Sequence, residues 1–268
     1  MSFEPYETKM KEEGLSSSAI AAFKHAFGEL ISGTAQPIDE STIAPVASLP
    51  SLENDINGNY PIDKSLLDQS VVLKLNGGLG TSMGLDKAKS LLPVKGNDTF
   101  LDLTSKQIMS MRASLDSNVC FMLMNSFNTS SDTMNFLSKY PALGAKSELE
   151  FIQNKVPKVD KATMAPAEWT LNPHLEWCPP GHGDLYTALY GSGKLDELLS
   201  KGIKYMFVSN SDNLGATMDL QLLAYFAKEN FPFMMECCQR TEADKKGGHL
   251  ALRVKDNQML LRESAQCS

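Results

Sequence analysis

Leu75-Asn-Gly-Gly-Leu-Gly80 runs straight out of Val71-Val-Leu-Lys74 and is followed by Lys87 and Lys89, which makes it the stretch of this chain best suited to chemistry. Three glycines in four positions let backbone amides approach a ligand that Cβ atoms would keep away, and the lysines add cations, a combination that suits a triphosphate. The two common motifs of this kind do not fit. No glycine is followed by Lys-Ser/Thr at Walker A spacing, and a dinucleotide fingerprint begun at Gly78 would need its third glycine where Met83 stands. The plainer reading, a turn that packs a strand on a helix, does not require three glycines with lysines.

Two further clusters join it. Pro179-Pro-Gly-His-Gly-Asp184 stiffens its approach with prolines and presents His182 between glycines, so that the histidine reads equally as a ligand contact or as loop structure. In Met206-Phe-Val-Ser-Asn-Ser-Asp-Asn-Leu-Gly215 an apolar strand ends in Asn210 and Asp212. That sets a carboxylate where Mg2+ bridges to phosphate oxygens, although an aspartate there also serves to cap a following helix. The metal role is favoured because the glycine loop also ends a strand and opens on the same edge. Gln153, after Leu149-Glu-Phe-Ile, reads as a base contact or as a partner for backbone groups, and Lys245-Lys-Gly-Gly-His249 as a sugar or phosphate contact or a plain hairpin.

Such clusters need a scaffold that brings strand ends together. Periodicity predicts strands at Val71–Leu75, Val119–Met124, Leu149–Gln153, Tyr205–Ser209 and Phe233–Cys238, the last holding Cys237 and Cys238 as buried core thiols. Helices are predicted at Phe100–Ser114, Thr133–Tyr140, Asp184–Gly193, Lys194–Lys201 and Asp219–Glu229. Near-continuous apolar strands alternating with helices indicate an α/β fold, a mostly parallel doubly wound, Rossmann-like sheet whose ligands bind at the carboxyl ends of the strands. Ahead of it, Ser16–Ile31 reads as an amphipathic helix with Ile20, Phe23, Phe27, Leu30 and Ile31 inward, and 36–63 as an irregular linker. The expected division is an N-terminal helical segment and linker over 1–65 and a catalytic domain over 66–268.

Composition narrows the partners. The 268 residues are 42% hydrophobic with a net charge of −7, which gives a full core and argues against nucleic acid, since phosphate-backbone binding needs a basic face. Phosphate chemistry must therefore rely on a few focused cations. Five cysteines without a CxxC pair, no apolar leader and no run long enough to cross a bilayer predict a cytoplasmic protein with no membrane partner; oligomeric state is not legible.

In order and spacing these motifs resemble the eukaryotic UTP–glucose-1-phosphate uridylyltransferases, or UDP-glucose pyrophosphorylases. The matching stretches are Leu73-Lys-Leu-Asn-Gly-Gly-Leu-Gly-Thr-Ser-Met-Gly84, Lys89-Ser90, Phe121-Met-Leu-Met-Asn-Ser-Phe-Asn128, Gln153-Asn-Lys-Val-Pro157, Pro179–Asp184, Ser209–Thr217 and Lys246-Gly-Gly248. The related UDP-N-acetylhexosamine pyrophosphorylases typically carry Leu-Ala-Gly-Gly-Gln-Gly-Thr-Arg-Leu-Gly in the loop, and Asn76, Leu79, Ser82 and Met83 depart from it. The resemblance implies a nucleotidyltransferase that forms UDP-glucose and pyrophosphate, reversibly and with Mg2+, from UTP and glucose 1-phosphate. It implies nucleotide contacts from Leu75, Asn76, Gly77 and Gly78, and Lys89 on the triphosphate. Gln153 and Gly181 would hold uracil, His182 the sugar phosphate, Asn210 the ribose, Asp212 the metal, and Gly248 and Glu263 the hexose. It also implies a further lysine, further hexose contacts and a C-terminal β-helix domain beyond Ser268, and hence poor turnover by these residues alone.

Overall fold

Val71, Val72 and Leu73 are β-branched or leucine residues with 0–3% exposure, and strand β2 (Ser70–Asn76) is buried along nearly its whole length, as a central strand must be. In this computed structural model, which describes residues 2–33, 37–79, 87–242 and 247–267, β2 lies between two parallel neighbours. These are β5 (Cys120–Asn125) and β9 (Tyr205–Asn210), and β6 (Glu150–Ile152) continues beyond β5 in the order β6-β5-β2-β9. The fold is thus mixed α/β around a parallel four-stranded sheet. Alternation along β2 assigns its faces. Val71 and Leu73 join Met122, Met124 and Phe151 in a core completed by α6 (Asp184–Gly191) and α7 (Lys194–Ser200), through Leu185, Leu189 and Leu198. Val72 and Lys74 turn to the other side, where they line a small cavity with Thr104 and Ile108 of α3 (Phe100–Leu115). Each fully buried aliphatic side chain of this kind contributes about 1.5–3 kcal/mol.

Local signals start and stop the helices. Thr99 Oγ1 accepts from the Asp102 amide at 3.1 Å and the Asp102 carboxylate accepts from the Thr99 amide at 2.8 Å, a reciprocal cap that opens α3 after the short hairpin of β3 (Pro93–Lys95) and β4 (Asp98–Thr99). The helix predicted at 133–140 is α4 (Ser130–Leu137), which begins three residues earlier; α5 (Lys146–Leu149) leads into β6. A two-stranded piece, β7 (Val156–Pro157) with β8 (Trp177–Cys178), precedes the His182 loop.

The chain forms two compact units, Met1–Phe27 with Asp63–Met218 and Gly28–Ile62 with Asp219–Ser268, which interleave along the sequence. In the first, α1 (Glu4–Glu12) and the start of α2 (Ser17–Ser32) meet through Phe3, Tyr6, Phe23 and Phe27, and Tyr6 Oη donates to the Met164 carbonyl at 3.0 Å. Lys9 pairs with Glu176 and Lys155 with Glu13, so α1 and its C-terminal end are fastened to both ends of the 155–176 stretch. Leu30 and Ile31, expected inward, are 54% and 40% exposed; Phe27 ends the packed part of the stripe. In the second unit β1 (Ile43–Ala44), β10 (His249–Arg253) and β11 (Met259–Arg262) form an antiparallel sheet, and α8 (Leu220–Glu229) starts at the Asp219 cap.

The strand expected at Phe233–Cys238 is not formed. Residues 231–240 carry no ladder, Phe233 is 67% exposed, and Cys237 and Cys238 are exposed rather than core thiols. An apolar run on both faces marks a strand covered on both sides, but a strand exists only when a neighbour pairs with it, and among the described residues none does. No helix among them is long and apolar enough to cross a membrane.

Candidate functional site

Register brings the strand ends together. Asn76 stands beside Asn125 in the ladder, Leu75 beside Asn210, and Asn125 beside Ile152, so β2, β5, β9 and β6 finish level and release their loops on one edge. Ten of the expected site residues belong to this unit: Leu75, Asn76, Gly77, Gly78, Lys89, Gln153, Gly181, His182, Asn210 and Asp212. Gly80 and the 81–84 stretch of the loop lie outside the described residues, as do Lys245 and Lys246.

Gln153 is the hinge of one half. It is 4% exposed, its Nε2 donates to the Gly181 carbonyl at 2.7 Å, and a Cβ placed on Gly77 would sit 2.4 Å from its Oε1. Only glycine permits that approach. Gly181 has φ +105°, a left-handed conformation that also favours glycine, so the same amide holds two glycine turns from different loops. Ser126 Oγ donates to the Gly77 carbonyl at 2.9 Å from the end of β5. Asp184, just beyond, accepts from the Asn154 amide at 2.7 Å and from its Nδ2 at 2.9 Å; burial nevertheless pushes its carboxyl up, against those bonds. His182 is exposed ahead of α6, with its carbonyl accepting from the Leu185 amide. The Asn76 side chain is 2% exposed and donates inward to Asn125 Oδ1 at 2.7 Å and Thr133 Oγ1 at 3.0 Å.

The other half is an ion pair. Lys89 Nζ lies 2.5 Å from Asp212 Oδ2, joining residues 123 positions apart. The Lys89 amide donates to the Gly78 carbonyl at 3.1 Å, beside a bridge between Leu79 and Ala88, so the loop's own closure delivers the lysine. Asp212 follows the exposed Asn210 at the end of β9, and Asp219, not Asp212, caps α8. Among the described residues no three His, Cys, Asp or Glu gather as a ready metal cage. One partly exposed carboxylate at the end of β9 is nonetheless a donor of the kind Mg2+ takes, since that ion uses one or two protein carboxylates and completes its shell with water and other oxygens.

Sequence reasoning passed over Lys74. Its signal was there: a lysine inside Val-Val-Leu-Lys-Leu occupies a central strand, and it is 3% exposed. Its Nζ donates to Ser209 Oγ at 2.7 Å and to the Ala216 carbonyl at 2.9 Å. In the second unit, Gly248 and Glu263 adjoin each other across the β10–β11 hairpin: a Cβ on Gly248 would lie 2.8 Å from the Arg262 carbonyl oxygen and 3.2 Å from Glu263 Cδ.

The sequence profile of the UTP–glucose-1-phosphate uridylyltransferases matches residues 20–268. The chain belongs to that family. It is 41% identical over 249 residues to the UTP–glucose-1-phosphate uridylyltransferase of Solanum tuberosum, covering 88% of this chain and 50% of that one. A crystal structure of UDP-glucose phosphorylase from Trypanosoma brucei superposes with a TM-score of 0.91 at 50% identity, over 98% of this chain and 56% of that one. A variant of the Leishmania major UDP-glucose pyrophosphorylase in complex with UDP-glucose superposes at 0.89 with 48% identity, over 99% and 57%. The chain spans about half the length of the curated relatives it matches.

Proposed function

We propose that these residues form the nucleotide-binding part of a UTP–glucose-1-phosphate uridylyltransferase, which makes UDP-glucose and pyrophosphate reversibly from UTP and glucose 1-phosphate. The observation that carries the reading is the Lys89–Asp212 pair on the sheet edge that also bears the Gly77–Gln153–Gly181 junction. The family membership and a relative's complex with UDP-glucose support it.

On this reading the sheet is the doubly wound sheet of a nucleotidyltransferase, and 66–268 its catalytic domain, preceded by a helical segment and linker. Gly77, Gly78 and the Leu75 and Asn76 backbone lie against the nucleotide, Gln153 and Gly181 against uracil, Asn210 against ribose, His182 against the sugar phosphate, and Gly248 and Glu263 against the hexose. Lys89 leaves Asp212 for the triphosphate and offsets its charge. Mg2+, held by Asp212 and phosphate oxygens, would withdraw electron density from the phosphates. An oxygen of glucose 1-phosphate attacks the UTP α-phosphorus in line, the bond to the bridging β-phosphate oxygen breaks, and pyrophosphate leaves with its electron pair. The protein's contribution is position and charge neutralisation. A cytoplasmic location and small-molecule substrates, with neither nucleic acid nor membrane, complete the proposal.

The test is a pyrophosphate-release assay with UTP, Mg2+ and a panel of sugar 1-phosphates, on the chain joined to the second half of a relative. Release with glucose 1-phosphate supports the reading. Release only with N-acetylglucosamine 1-phosphate transfers it to the hexosamine enzymes, and UTP binding without any release reduces it to a nucleotide-binding module.

A further inference from the structure

Lys74 is a cation in the middle of a central strand, and among the described residues no carboxylate pairs with it. Burial pushes its ammonium down to about 8. An apolar residue of similar length would fill the site without that penalty, so the charge calls for another explanation. Its bonds supply one. Ser209 stands directly opposite Lys74 in the β2–β9 ladder, and Ala216 closes the turn that leaves β9, so one ammonium joins both ends of the segment that carries Asp212. Phe207, two residues before Ser209, lies with its ring centroid 5.9 Å from the same Nζ.

The turn's other long-range holds are the Lys89–Asp212 ion pair and two hydrogen bonds. Ser211 donates to the Leu75 carbonyl at 3.0 Å, and Gln107 of α3 donates through Nε2 to the Leu214 carbonyl at 3.1 Å. The bonds from Asn213 to Asn210 and from Ala216 to Asn213 Oδ1 stay within the turn. Packing beneath it is incomplete. A cavity of about 20 Å³ lies against Val72, Lys74, Thr104, Ala216 and Met218, and the buried Thr104 hydroxyl has no partner there. Polar tethers therefore help hold this turn in place.

We propose that Lys74, assisted by Gln107, is a positioning residue that clamps the 209–216 turn from inside the sheet and so fixes the Asp212 carboxylate where Lys89 and a nucleotide-bound divalent cation meet it. The clamp is a statement about this chain alone; its purpose rests on the uridylyltransferase reading.

Two measurements on the 268-residue chain test it: peptide-level amide hydrogen exchange, and UTP titration with and without Mg2+. In Lys74→Met, which keeps the apolar stem, exchange over 210–217 should rise by about tenfold, the factor expected when hydrogen bonds to a charged group are lost, while β2 and β5 stay protected. The gain in UTP affinity that Mg2+ confers should disappear, with Mg2+-free affinity within about twofold of the parent, which a purely structural role would not produce. Unchanged exchange in the turn, or an intact Mg2+ gain, overturns the proposal. Should Lys74→Met lose protection throughout, Ser209→Ala and Gln107→Leu remove the tethers singly, with the same two outcomes deciding. If the parent chain binds no UTP, the functional reading fails, while the exchange comparison still decides whether Lys74 clamps the turn.

Discussion

Gly77 and Gln153 occupy loops from different strands, and their contact shows how tightly side-chain size is constrained at this edge. A Cβ at Gly77 would stand 2.4 Å from Gln153 Oε1 and push the amide off the Gly181 carbonyl. Gly77→Ala should therefore weaken UTP binding by about tenfold, with a stability loss of about 1 kcal/mol from overpacking; calorimetric titration and thermal melting read both. Unchanged affinity would separate Gly77 from the nucleotide site. That the glycine loop, Gln153, Asn210 and Asp212 gather on one sheet edge was legible, because each ends or directly follows a predicted strand. Two residues resisted. The inward turn of the Asn76 side chain toward its ladder neighbour Asn125, and the polar bonds of Lys74 inside an apolar strand, depend on neighbours that leave no local trace.

At the scale of elements, α3 depends on Asp102. Burial alone would raise its carboxyl, but hydrogen bonds from Lys139, Thr99 and Tyr140 outweigh that and hold it well below the usual carboxylate range. The Tyr140 hydroxyl, partly covered and 2.5 Å from Asp102, is in turn pushed up to about 12 by desolvation and by that carboxylate. A carboxyl depressed in the folded state contributes stability above its unfolded value, near 4, and that contribution is lost as pH falls through this range toward the folded value. Asp102→Asn should flatten the acid limb of a stability-against-pH curve measured by urea melts, besides a loss of about 1 kcal/mol at neutral pH from the weakened cap. A parallel acid limb in the variant would contradict the assignment. The central strands were readable in sequence because pattern and burial agree there. Phe233–Cys238 shows the limit: composition signals a strand's environment, while the ladder depends on a neighbour that sequence pattern does not supply.

Over the whole molecule, the interleaving of 1–27 with 63–218 was not legible, because contacts such as Tyr6 to Met164 span 158 positions and leave no local trace. Composition did indicate focused rather than diffuse positive charge, and Lys89 beside Asp212 fits that. The exposed Phe231, Phe233, Met234 and Met235 form an apolar stretch of a kind that folded proteins usually cover. On the proposed function, the first unit holds a UTP site built around Asp212. The most direct test is titration of the 268-residue chain with UTP in Mg2+, beside Asp212→Ala. Saturable binding by the parent is expected, weakened about tenfold or more in the variant, with melting temperatures within a few degrees because a partly exposed ion pair contributes about 0–1 kcal/mol. No saturable binding by the parent, or equal binding by the well-folded variant, would contradict it.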